Sequence, residues 1–102
     1  MVARVTQYKI RPGKIEAFTS AVESMSPALD KFHGFRVLLV LRGPEEDSRE
    51  ATTISVWDSV EDLRHCDNDK FYYHAIANLM KCCESFSPMR EQDVLASKFL
   101  NR

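Results

Sequence analysis

The side chains with most scope for chemistry gather in one run, ISVWDSVEDLRHCDNDKF, from Ile54 to Phe71. Trp57 closes an alternating apolar stretch there. An indole at a strand end either packs a core or offers a stacking wall to a flat aromatic ligand. His65 stands in the polar corner RHCDND. An imidazole titrating near neutrality can exchange a proton with a phenol or enol, or simply bond a helix-terminal carbonyl. Phe71 follows as a candidate for the wall of the same pocket. Tyr72 shares helical spacing with Ile76 and Leu79, so its ring faces a core or lines a cavity. Tyr8 shares a strand face with Arg4 and Thr6, a polar-tinged row that could touch a ligand. His74 lies among Tyr72 and Tyr73 and reads as an ordinary, partly exposed helical residue. Cys66 adjoins His65, but neighbouring residues on a helix do not face one another, so no nucleophile–base pair follows.

Other chemistries find no support. The chain has no GxGxxG, P-loop or HExxH run, which removes the usual marks of nucleotide binding and zinc proteolysis. Three cysteines, Cys66, Cys82 and Cys83, form an odd set without the paired loci of a zinc site. Reduced thiols and no bound metal are the expectation. With 14 basic and 15 acidic side chains and a net charge of −1, nothing recruits nucleic acid or an anionic bilayer. No signal-peptide pattern or membrane-length apolar run occurs, so a cytoplasmic protein is expected.

These residues need a scaffold, and 102 residues with a 44% hydrophobic share suffice for one domain spanning 1–102. Residues 2–10 alternate as a strand, and RPGK (11–14) breaks it. Ile15, Phe18, Val22, Met25, Leu29 and Phe32 form one helical stripe that Gly34 ends. Pro27 inside the stripe predicts a kink or a fresh first turn capped by Ser26. FRVLLVLR (35–42) is apolar on both faces, and such a strand should be covered twice. ATTISVWD (51–58) is a third strand, and Ser59 with Asp62 makes a near capping box for a short helix. A longer helix is predicted from about Asp69 to Phe86, stopped by Pro88, and a last strand over 92–100. The order β-α-β-β-α-β, with the second helical region split, is an α+β, ferredoxin-like plan with a four-stranded antiparallel sheet and helices on one face. Its bare sheet face is apolar, so a second copy of the chain should cover it.

Taken with the PGK turn, Gly34–Phe35 opening the second strand and VWDSVEDLRH…F, this order resembles the antibiotic biosynthesis monooxygenase superfamily. The resemblance implies a dimeric α+β barrel in which two sheets close face to face. It further implies a cofactor-independent monooxygenase acting on a small aromatic, polyketide-like or quinol substrate, which reduces dioxygen itself once deprotonated. On that reading His65 is the proton acceptor or anion partner, and Trp57, Phe71, Tyr72 and Tyr8 bind the substrate. Lys70 stands where many members carry a histidine. Thr53 and Leu63 occupy places where polyketide oxygenases carry asparagine and tyrosine. Haem degradation is disfavoured, because Thr6, His65 and Ala75 replace the asparagine, tryptophan and histidine of the haem-degrading branch, and His74 lies one residue off the iron-binding position. The alternatives are an isomerase of a small phosphorylated metabolite, for which Arg4 or Arg36 would supply a cationic ligand, and a non-catalytic binding or stress-related dimer.

Overall fold

A computed structural model describes residues 1–98. Its elements are β1 (Val2–Ile10), α1 (Ile15–Leu29), β2 (Phe35–Arg42), β3 (Glu50–Trp57), α2 (Val60–Asp67), α3 (Lys70–Met80), β4 (Cys83–Phe86) and β5 (Arg90–Asp93). The sheet runs β2-β3-β1-β4, antiparallel throughout, and β5 also pairs with β1. This is the ferredoxin-like order. β4 meets the C-terminal end of β1 and β5 its N-terminal end, so together they act as one interrupted fourth strand. Pro88 sits in the interruption, where a missing N–H removes no ladder bond.

Local chemistry explains most boundaries. Gly13 turns the chain after β1 with φ +75°, a backbone region open to glycine at no steric cost. Ser59 caps α2 by accepting from the Asp62 amide at 3.2 Å, and its hydroxyl donates to the Asp62 carboxylate at 2.9 Å. Asp69 caps α3 in the same way through the Tyr72 amide, at 2.8 Å.

Three expectations are corrected. First, α1 passes through Pro27 as one helix and ends at Leu29, with no fresh turn capped by Ser26. Proline falls in its last turn, where few helical bonds remain to lose. Second, α3 stops at Met80 rather than near Phe86. Cys83 lies four residues beyond Leu79 and so fits helical spacing, but β1 offers an unpaired edge there. The chain leaves the helix to satisfy it, with Arg11 N–H donating to the Cys82 carbonyl at 2.8 Å and Cys83 opposite Ile10. Third, the last strand occupies Arg90–Asp93, not 92–100, and residues 94–98 form no strand. The predicted strand's end at 99–100 lies outside the described residues.

Packing divides the sheet into unlike faces. Helices cover the face carrying Val2, Tyr8, Ile10, Ala51 and Trp57. One cluster centres on Tyr8, Phe18 and Leu79, another on Trp57, Leu29 and Leu63, and Leu38 touches both. The opposite face holds Val5, Ile54 and Leu39 in one cross-strand row. Contrary to the double cover predicted for β2, Leu39 is 48% exposed and Leu41 47% exposed in the protomer.

Candidate functional site

Period-two alternation along β1 aims Arg4, Thr6 and Tyr8 toward the helices, and all three are buried. β3 sets Ser55, Thr53 and Ala51 opposite them. Between this polar strip and the apolar sides of α1 and α3 lies an enclosed cavity of about 30 Å³, bounded by Trp57, Met25, Leu38 and Tyr72 among others. That volume suits about one water molecule. A second, more open cavity of about 340 Å³ lies beyond it, lined by Arg4, Asp67, Tyr72, Ile76, Met80 and Met89. Its size falls in the range of small-molecule sites. Arg4, Tyr72, Ile76 and Met89 border both spaces and form the partition between them.

Charge is concentrated at that partition. Arg4 donates from Nη1 and Nη2 to the two Asp67 oxygens at 2.6 and 2.7 Å, and from Nη2 to Glu91 Oε1 at 3.0 Å. Arg64 donates to Glu91 Oε2 at 2.7 Å and to Asp67 Oδ2 at 3.2 Å. Two cations therefore face two carboxylates, tying β1 and α2 to β5. The paired carboxylates push the Arg4 pKa further up, against the opposing effect of its burial. Arg64 and Arg4 hold the Glu91 carboxyl down at about 2. Arg4 Nε is buried and finds no hydrogen-bond partner among the described residues.

The remaining polar groups are quiet. Burial raises the Tyr8 phenol pKa, partly offset by its contact with Thr53 Oγ1 at 3.2 Å. Burial likewise pushes up the Tyr72 phenol and takes the Cys66 thiol to about 12, which makes it an inert core group. Cys66, Cys82 and Cys83 are all free. Among the described residues no group of three or more His, Cys, Asp or Glu side chains is placed to hold a metal ion.

The predicted site residues separate into two sets. Trp57, Tyr8 and Tyr72 come together at the enclosed cavity. Trp57 is 1% exposed, with Phe35 and Phe32 edge-on at 5.3 and 6.3 Å and its Nε1 donating to Ser55 Oγ at 3.1 Å. His65 and Phe71 do not join them. His65 lies exposed in the last turn of α2 and borders neither cavity. The buried face of that helix belongs to Leu63 and Cys66, and His65 lies about 100° from Cys66 around the axis. Phe71 is 66% exposed and lines a separate groove against Pro27 and Phe32 of α1. His74 is exposed beside Tyr73, and Arg36 pairs with Asp58 away from either cavity. The partners Asp67, Glu91 and Arg64 escaped sequence reasoning. The signal that could have found them was Arg4 itself, a cation on the row that alternation sends to the core.

The pattern of residues 1–73 matches the family described as antibiotic biosynthesis monooxygenase. The chain belongs to that family. Its fold agrees with solved structures at low identity. SnoaB, a cofactor-independent oxygenase from Streptomyces nogalater, superposes with a TM-score of 0.81 at 16% identity, covering 94% of both chains. A provisionally described antibiotic biosynthesis monooxygenase from Caulobacter crescentus gives 0.81 at 15% identity over 93% of this chain and 90% of the other. One from Nitrosomonas europaea gives 0.80 at 12% identity over 94% and 100%. No curated protein matches. Among the described residues no helix is long and apolar enough to cross a membrane.

Proposed function

We propose that this member of the family is a cofactor-independent monooxygenase of a small aromatic, polyketide-like or quinol substrate, bound at the partition between the two cavities. The observation that carries this reading is the partition itself. Aromatic and aliphatic side chains surround a ligand-sized space in which one buried cation, Arg4, is the main polar feature. Such a site can hold a flat ring, exclude water and stabilise an anion, which is the protein's share of the work when the substrate itself reduces dioxygen. Tyr72 and Met89 would contact the ring, with Trp57 and Tyr8 as the inner wall once the enclosed space opens to admit it. The exposed positions of His65 and Phe71 support roles outside the chemistry. The open, apolar sheet face supports a homodimer closed through that face, and free thiols suit a reducing compartment such as the cytoplasm.

Oxygen uptake with a panel of quinols and hydroxyaromatics tests the proposal. Uptake by the native protein should fall by about tenfold or more in Ile76→Trp, which fills the outer cavity, and should persist in His65→Ala. No uptake with any compound overturns it. A second reading, a binding protein without catalysis, draws on the enclosed cavity of about 30 Å³, which is too small for a ring beside Trp57. Ligand binding without oxygen uptake would select it. The charge balance around Arg4 disfavours the phosphorylated-metabolite isomerase, since two carboxylates already occupy that cation.

A further inference from the structure

We propose that Arg4 anchors the ligand through its Nε–H, and that this donor selects a flat ring bearing a conjugated carbonyl oxygen, as in a hydroxylated quinone or aryl ketone, over a phosphate or carboxylate. The inference rests on the substrate pocket proposed above and assigns its specificity.

Three features of the site carry it. Arg4 is only 7% exposed, and its Nε is a buried donor with no partner among the described residues. A buried, unpaired N–H costs free energy that a ligand oxygen would recover. Position is the second feature, because Arg4 borders both cavities, so a ligand crossing the partition meets it. Third is charge. Arg4 and Arg64 are balanced by Asp67 and Glu91, leaving no net charge in the cluster. A phosphate dianion would add two negative charges beside two part-buried carboxylates, which electrostatics opposes. A carbonyl adds none and accepts a single N–H. Donation to a carbonyl conjugated with a ring hydroxyl also favours that hydroxyl's ionisation, since the anion's charge spreads onto the bonded oxygen. Among the titratable groups bordering the cavities no histidine is present, so anion stabilisation by Arg4 takes the place of a resident imidazole.

Equilibrium dialysis with 5-hydroxy-1,4-naphthoquinone, naphthalene and 1-naphthyl phosphate tests the assignment. The quinone should bind the native protein about tenfold to a hundredfold more tightly than naphthalene, the range of one charge-assisted hydrogen bond. Arg4→Lys, which keeps the charge but loses the planar fork, should erase that preference. Should Arg4→Lys fail to fold, the carbonyl stretch of the quinone bound to native protein decides the matter, and a shift to lower wavenumber is the expected result. Equal binding of quinone and naphthalene, or tighter binding of the phosphate, overturns the Arg4 assignment and leaves the pocket standing. Binding of none of the three removes both the pocket and its anchor.

Discussion

The two faces of the sheet invert the ordinary arrangement. The face covered by helices carries Arg4, Thr6, Thr53 and Ser55, whereas the face open to solvent in the protomer carries Val5, Ile54, Val56 and Leu39. Burying polar groups costs free energy unless each is paired, so a fold that puts them inside must use them there. Most are paired: Tyr8 with Thr53, Trp57 with Ser55, Arg4 with Asp67 and Glu91. Only Arg4 Nε is left over. Open apolar rows are costly in a different way, because they keep hydrocarbon in water until something covers it. The covered face thus reads as a site and the open face as a surface awaiting a partner.

Removing the indole would break the covered face most severely. Trp57→Ala empties the wall shared by Phe32, Phe35 and Leu63, and should cost about 3–5 kcal/mol. Urea unfolding followed by far-ultraviolet circular dichroism would show it. A loss below about 1 kcal/mol would mean that the cluster repacks around the gap. The open face responds differently. Ile54 lies between Val5 and Leu39 in the central row, so Ile54→Lys should abolish self-association while leaving the circular dichroism spectrum intact. Sedimentation should find the native chain as a dimer and the variant as a monomer. A monomeric native chain would end the reading of the open face.

The element order and the alternation of β1 could be read directly, because both follow from the local period of apolar residues. The C-terminal third could not. Leu79, Cys83 and Phe86 keep a helix-compatible spacing, and only the unpaired edge of β1, a nonlocal fact, draws Cys83–Phe86 into the sheet. The candidate site divides along the same line. Trp57, Tyr8 and Tyr72 lie on elements whose inward faces are fixed by periodicity, and they converge. His65 sits in a short helix where its polar neighbours left the inward direction open, and the fold turned it to solvent. Asp67 and Glu91 are separated by most of the C-terminal half and meet only through Arg4.

Acid should loosen the seam between these regions. Glu91 is held at about 2, below its ordinary 4.5, by Arg64 and Arg4. Its contribution is full above the unfolded value and is lost as pH falls from there toward about 2. Glu91→Gln should remove that part of the acid dependence and speed amide exchange in Arg90–Asp93, where β5 pairs with β1. Unchanged exchange would mean that the backbone ladder alone holds β5.

The smallest effect should come from the loop that joins α1 to β2. His33 Nδ1 lies 2.9 Å from Asp62 Oδ1, on the outer surface. Asp62 also receives the Ser59 hydroxyl, and a Cβ at Gly34 would overlap its carboxylate, so the contact is geometrically fixed although His33 is exposed. The carboxylate raises the imidazole pKa, and His33 in turn lowers that of Asp62. The pair is therefore strongest where both are charged. Its histidine part is full below the unfolded histidine value and fades as pH rises through the raised folded value. Its aspartate part is full above the unfolded carboxylate value and fades on acidification through the lowered one. Exposure and salt screening keep the whole effect slight. His33→Gln should flatten the shallow decline in melting temperature between mildly acidic and mildly alkaline pH, and added salt should do the same to the native chain. If the decline persists in the variant, another group titrates there, and the loop is held by the Ser59–Asp62 cap rather than by charge.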